Sequence, residues 1–185
     1  MCIMPIYIKY YPHGTTFDNE AGIATGTADT DLSPLGQEQI KHLGEHEKNE
    51  LFDAIFCSDL VRAKKTAEAV SNGKYTVTID QRLREINVGD LTQKRDVDEV
   101  NPFKKSYITK PFPNGESYND IENKMHSFLN DLKRDYPNKR IAIIGHQATQ
   151  LALEVILCNK TWEEALDSDW RLTKTWQPGW EYTLI

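Results

Sequence analysis

Hydrophobic and polar residues alternate in blocks that read as strands and helices by turns. Residues 5–11 are β-branched and aromatic, the composition of a strand. A varied polar stretch follows over residues 13–31. Ser33-Pro34 then supplies an N-cap and a proline at the first helical position, which predicts a helix to about Lys48 with Leu35, Ile40 and Leu43 on its apolar side. Residues 54–57 form a short apolar strand. Beyond it Ser58 or Asp59 is placed to cap a helix whose Leu60, Ala63, Ala67 and Val70 recur at helical spacing. Residues 75–79 alternate as a strand, and residues 80–114, broken by Gly89, Pro102, Pro111 and Pro113, predict irregular chain. Ser117 and Asp120 fit a capping box ahead of a long helix carrying Ile121, Met125, Phe128 and Leu132 on one face. The unbroken apolar run 141–144 predicts a strand covered on both faces, followed by a helix over about 150–157 and a last strand over 180–185.

Alternating strands and helices predict an α/β fold: a three-layer sandwich with a mostly parallel central sheet and helices on both faces. A chain of 185 residues fits one domain, spanning residues 1–185. Sites in such folds lie beyond the carboxyl ends of the strands. Three polar clusters fall there: His13 after the first strand, residues 58–62 after the second, and His146 after the run 141–144.

Composition narrows the function classes. A net charge of -6 argues against general nucleic-acid binding, although an acidic protein can hold a locally positive pocket. No apolar run approaches the ~20 residues of a membrane span. The first residues lack the basic start and apolar stretch of a signal peptide, so the expected location is cytoplasmic and no membrane partner is expected. Cys2, Cys57 and Cys158 are too dispersed for a disulfide framework or a zinc knuckle, and Cys57 is expected in the core.

A neutral imidazole is a competent nucleophile near pH 7, and its attack on a phosphate ester gives a phosphohistidine that water can hydrolyse. The transferred phosphoryl group carries negative charge best met by forked arginine donors, and the departing alkoxide needs a proton from a carboxylic acid. His13, His146, Arg62 and Glu85 supply those types.

These residues lie in motifs that resemble the histidine phosphatase (phosphoglycerate mutase-like) superfamily. His13-Gly14-Thr15-Thr16 with Asn19 resembles the start of its signature, and Gly26, Asp29 and the stretch 32–39 resemble the next block. Residues 52–63 with Thr66-Ala67 resemble its most recognisable stretch, and Leu83-Arg84-Glu85-Ile86 with Gly89-Asp90 resembles the acid loop. Gly115-Glu116-Ser117-Tyr118 and Ile143-Ile144-Gly145-His146 complete an ordered set covering nearly the whole chain.

The resemblance implies a phosphomonoesterase with His13 as nucleophile, Glu85 as proton donor and acceptor, and His146 and Arg62 on the phosphoryl oxygens. Asn19, Gly14 and Thr16 would add contacts to the phosphate. It implies a small phosphorylated metabolite, phosphoprotein or inorganic phosphate as partner and neither metal nor organic cofactor, and it leaves a homodimer open. The short stretch between Glu85 and Gly115 favours phosphatase over phosphoglycerate mutase.

Three positions depart from the family. Pro12 stands where an arginine normally precedes the histidine, Thr15 replaces an acidic residue, and Asp18 replaces an aromatic one. Proline removes a permanent charge and a bidentate donor, which limits the rate unless another cation compensates; Lys9, Arg84, Lys94 and Arg95 are the candidates. A second reading is therefore a phosphatase-like protein that binds a phosphorylated ligand with little turnover. A remote one is a zinc hydrolase, because His42-Leu43-Gly44-Glu45-His46 fits H-x-x-E-H, though on a helix dense with charge and without an assignable third ligand. Trp162, Trp170, Trp176 and Trp180 are expected in the core or packed against the last strand rather than forming a stacking platform, and His126 is expected to be exposed.

Overall fold

The computed structural model describes residues 4–173 and 177–185, so Cys2 and Trp176 lie outside the described residues. Five strands form one sheet: β1 (Ile6–Pro12), β2 (Ala54–Cys57), β3 (Val77–Ile79), β4 (Arg140–Gly145) and β5 (Trp180–Leu184), in the spatial order β3-β2-β4-β1-β5. The pairings β1–β4, β2–β4 and β2–β3 are parallel, and β5 runs antiparallel to β1 at the edge. The mostly parallel sheet predicted from the alternation of elements is present.

Alternation along β4 explains the layers. Successive side chains of a strand point to opposite faces. Ile141 and Ile143 enter one core with Ile6, Ile8 and Tyr10 of β1, covered by α4 (Tyr118–Asp135) and α5 (Gln147–Cys158). Ala142 and Ile144 enter the other with Tyr11, Ile55 and Cys57, covered by α2 (Pro34–Glu47) and α3 (Val61–Ser71). Burial of both faces makes β4 a continuous apolar run. No helix among the described residues is long and apolar enough to cross a membrane.

Several expectations shift. The N-cap of α3 is Leu60, which has no capping side chain, rather than Ser58 or Asp59; Asp29 Oδ1 from another loop accepts the Val61 N–H (2.8 Å) instead. α5 begins at Gln147 rather than near Gln150, directly behind His146. Leu35 is 53% exposed instead of joining Leu43 in the core. The segment 80–114, predicted irregular, contains short 3-10 turns and one π-type turn. Two short helices, α1 (Phe17–Ala21) and α6 (Trp162–Asp167), were not predicted; each opens with a threonine N-cap. Trp162 is buried beside Tyr118 of α4 (ring centroids 5.0 Å apart), while Trp180 of β5 meets Tyr10 of β1 (6.4 Å) and Trp170 (5.6 Å).

The loop after β1 is clamped onto α2 and α3. The Gly14 N–H donates to Thr66 Oγ1 (3.2 Å), the Thr15 N–H to Gln39 Oε1 (2.8 Å), and the Ser33 N–H to the Thr15 carbonyl (3.0 Å). Gly36 makes this approach possible, since a Cβ there would sit 1.9 Å from the Thr15 carbonyl oxygen. Gly36→Ala is therefore expected to cost about 1–3 kcal/mol, the range for forced overpacking. Urea denaturation measures it, and an unchanged midpoint would contradict the clamp.

Candidate active site

Strand register places the site. Pro12 lies beside Gly145 and Cys57 beside Ile144, so the residues that follow, His13, His146 and Ser58, leave three adjacent strands at one edge. The His13 N–H donates to the Gly145 carbonyl (3.3 Å) and the Ser58 N–H to the Ile144 carbonyl (3.3 Å), extending the ladder by one step on each side of β4. The two imidazoles end with ring centroids 5.0 Å apart.

His13 Nδ1 stands 2.7 Å from the Gly14 carbonyl. A carbonyl oxygen only accepts, so Nδ1 carries the hydrogen and Nε2 keeps its lone pair. Burial, then the Arg62 guanidinium and more weakly Arg171, push the His13 pKa down to about 3 against the opposing Gly14 hydrogen bond. His146 is fully buried, with Nε2 2.7 Å from Ser58 Oγ. Its Nδ1 is buried and has no hydrogen-bond partner among the described residues. Burial, then Arg62, His13 and Arg171, hold it well below the usual histidine range.

Arg62, in the first turn of α3, is 2% exposed. Its Nη1 and Nη2 each donate to a carbonyl, of Ala28 and Gly26, at 2.9 Å, which fixes the fork and leaves further N–H groups for a ligand. Burial lowers its pKa while Glu85, Asp29 and Asp18 oppose that shift. Glu85 sits at the start of α5. Oε1 accepts the N–H groups of Ile86 (2.9 Å) and Ala148 (3.0 Å), and Oε2 accepts that of Gln147 (3.0 Å). A helix N-terminus favours a carboxylate placed there.

His13, Arg62, Glu85 and His146 line a single cavity of about 730 Å³, together with Pro12 and Asn19. Asn19 turns Oδ1 toward the Thr16 N–H (3.1 Å). Gly14 and Thr16 do not line it. Gly14 gives its N–H to Thr66, and a Cβ on it would meet Gly36 at 2.7 Å. Thr16 is fully buried as the cap of α1, its hydroxyl accepting the Asn19 N–H (3.1 Å). Both hold the loop rather than face a ligand. Asp18 turns Oδ2 to the Thr25 hydroxyl and the Gln93 amide, both at 2.9 Å.

None of the four cations considered as a replacement for the missing arginine, Lys9, Arg84, Lys94 and Arg95, lines the cavity. Lys9 pairs with Glu47 (2.8 Å), Arg84 with Asp59, and Arg95 with Asp98 (3.3 Å). Two cations that sequence reasoning missed do line it, Lys104 and Arg171, with Trp170 beside them. Both lie in aperiodic segments that give no sequence signal. Trp170 thus lines the cavity as well as packing on Trp180. The zinc reading fails on geometry. His42 and His46 are 66% and 75% exposed and tied to Glu38 and Glu47. Among the described residues, no group of three His, Cys, Asp or Glu side chains could hold a metal. His126 is exposed beside Glu122, as expected.

The depressed histidines have a definite pH consequence. Between about pH 6.5 and pH 3 the unfolded chain takes up a proton at His13 that the folded chain refuses, so this contribution to stability is present above 6.5 and is lost as pH falls through that window. In the ligand-free protein the His13 ring resonances are expected not to titrate between pH 8 and pH 5. A midpoint near 6.5 by NMR would contradict the geometry.

The sequence profile of the histidine phosphatase superfamily (branch 1) matches residues 12–175. "Putative phosphoserine phosphatase 2" of Hydrogenobacter thermophilus is 31% identical over 154 residues, covering 79% of this chain and 74% of that one. Among solved structures, the alpha-ribazole phosphatase of Shigella flexneri superposes with a TM-score of 0.74 at 27% identity, over 89% of this chain and 84% of that one. The mycobacterial glucosyl-3-phosphoglycerate phosphatase shares the fold, with a TM-score of 0.77 at 24% identity over 88% and 84%. With the motif blocks converging on one cavity and the profile spanning nearly the whole sequence, the chain belongs to the histidine phosphatase superfamily.

Proposed function

We propose that the protein is a phosphomonoesterase that passes the phosphoryl group of a small phosphorylated substrate to His13 and then to water. The observation that carries this reading is the His13 tautomer, Nδ1–H on the Gly14 carbonyl and Nε2 free, in a cavity that also holds Arg62, His146 and Glu85.

The chemistry follows from the contacts. The Nε2 lone pair attacks phosphorus, and the N–P bond forms as the ester P–O bond breaks. Arg62, itself buried, meets the charge on the equatorial oxygens. Ser58 sets the partner imidazole. When its hydroxyl donates to His146 Nε2, the ring hydrogen sits on Nδ1, where it donates to a phosphoryl oxygen. Glu85 Oε1 already accepts two N–H groups and Oε2 only one, so Oε2 has the freer lone pair for proton transfer. Glu85 enters the first half as the carboxylic acid: the leaving oxygen takes the proton from Oε2, and the carboxylate stays behind. In the second half, Glu85 takes a proton from water, the water oxygen bonds to phosphorus, the N–P bond breaks and inorganic phosphate leaves.

Each of these groups belongs to the chain, so turnover of a generic aryl phosphate is expected to persist with EDTA present, and His13→Ala is expected to fall to background. Equal rates for wild type and His13→Ala would sink the reading. Glu85→Gln is expected to lose about 10²–10⁴-fold on an alkyl phosphate, whose leaving group needs a proton, and much less on an aryl phosphate. Equal losses on both would remove Glu85 from the acid role. Pro12, which lines the cavity without a donor, favours one competing reading, a phosphate binder with little turnover. Vanadate binding without hydrolysis would decide for that.

A further inference from the structure

We propose that Arg171 supplies the second forked cation at the phosphoryl group, in the cavity that Pro12 leaves without a donor. This rests on the phosphatase reading above. A phosphomonoester carries about 1.5 to 2 negative charges at neutral pH. Arg62 provides one positive charge, and both of its Nη atoms already donate to the carbonyls of Ala28 and Gly26. The wall formed by β1 adds nothing, because Pro12 has no side-chain donor and no N–H.

Arg171 enters from the opposite end of the sequence, in the 3-10 turn Trp170–Thr173 that leads toward β5. It lines the same cavity as His13, Arg62 and His146. Its guanidinium lies over the rings of Trp170 and Trp180, 5.0 and 5.7 Å from their centroids. Asp169 grips Nη1 at 3.0 Å, and Gln150 Oε1 stands 3.4 Å from the same nitrogen. Among the described residues, the side-chain hydrogen bonds of Arg171 thus engage Nη1 alone, and the side chain remains 23% exposed. Aromatic stacking and a buried carboxylate preorganise the group, so little rotamer freedom is lost when it meets an oxyanion.

Asp169 does not swing freely as a counter-charge. Oδ1 also accepts the Arg171 N–H (3.1 Å), and Oδ2 accepts from the Gln147 side-chain amide. Gln147 in turn follows His146 and gives its backbone N–H to Glu85. The carboxylate therefore ties the Arg171 turn to the start of α5, where the acid and the second imidazole are held. Both imidazoles feel the Arg171 charge, which lowers their affinity for protons. Lys104 also lines the cavity, but its Nζ is bonded to Gln147 Oε1 (3.0 Å), and a lysine offers a point charge rather than a fork.

The test is orthovanadate affinity by calorimetry together with kcat/KM on an aryl phosphate, for wild type, Arg171→Gln, Arg171→Lys, Pro12→Arg and the double variant Pro12→Arg/Arg171→Gln. Arg171→Gln is expected to weaken vanadate binding and lower kcat/KM, each by about 10²-fold, with Arg171→Lys between it and wild type. Pro12→Arg is expected to raise both by about tenfold or more in the Arg171→Gln background, and by less in the wild-type background, because the two arginines would answer one need. Should Arg171→Gln fail to fold, Arg171→Lys carries the test: a loss of about tenfold in vanadate affinity at an unchanged melting temperature supports the assignment. Vanadate affinity within about twofold of wild type in the folded variants overturns it, and so does a change in KM alone, which would place Arg171 on the leaving group. A wild type that neither binds vanadate nor hydrolyses the ester takes the phosphatase reading down as well, whereas an active wild type with an indifferent Arg171→Gln refutes only the role of Arg171.

Discussion

The parallel pairing of β1 with β4 is the constraint on which the rest of the site depends. It sets Pro12 beside Gly145, and the next step along each strand delivers an imidazole to the same edge of the sheet. A slip of one residue would turn Ile141 and Ile143 from one core to the other and point both histidines elsewhere. Two apolar layers, one under α4 and α5 and the other under α2 and α3, fix that register, so the positions of the reactive groups follow from packing some distance away.

Within that frame the site is built by hydrogen bonds that leave little choice. The Gly14 carbonyl selects the His13 tautomer, two carbonyls orient the Arg62 fork, and three N–H donors hold Glu85 at the start of α5. Desolvation keeps both imidazoles neutral in the resting site. A neutral nucleophile beside a buried guanidinium is an arrangement whose charge balance improves when a phosphoryl dianion arrives, which is the sense in which the site is preorganised.

Much of this was legible in the chain. Short apolar runs bounded by polar residues marked β2 and β4, and the residue after each run, Ser58 or His146's neighbour Gly145, stood at the strand end where sites gather. Strand ends and motif blocks pointed to His13, Arg62, Glu85 and His146, and the fold brings these four to one cavity. Gly14 and Thr16 were misread because a small residue and a hydroxyl in a loop serve a cap or a close contact as well as a phosphate, and only Thr66, Gly36 and Asn19 in place decide which. Thr161 followed by Glu164 carried a capping signal for α6 that the pattern of apolar residues alone does not weigh. Arg171 and Lys104 had no signal. They sit in aperiodic turns, and their place in the cavity is set by long-range packing of the last strand and of the segment before α4.

The most direct measurement is rapid quenching of the enzyme with a labelled phosphomonoester under alkaline conditions, followed by mapping of the labelled peptide. The account predicts a transient covalent phosphoenzyme, stable to base and labile to acid, on the peptide containing His13. Hydrolysis that proceeds with no covalent intermediate, or with the label on any other residue, would contradict it.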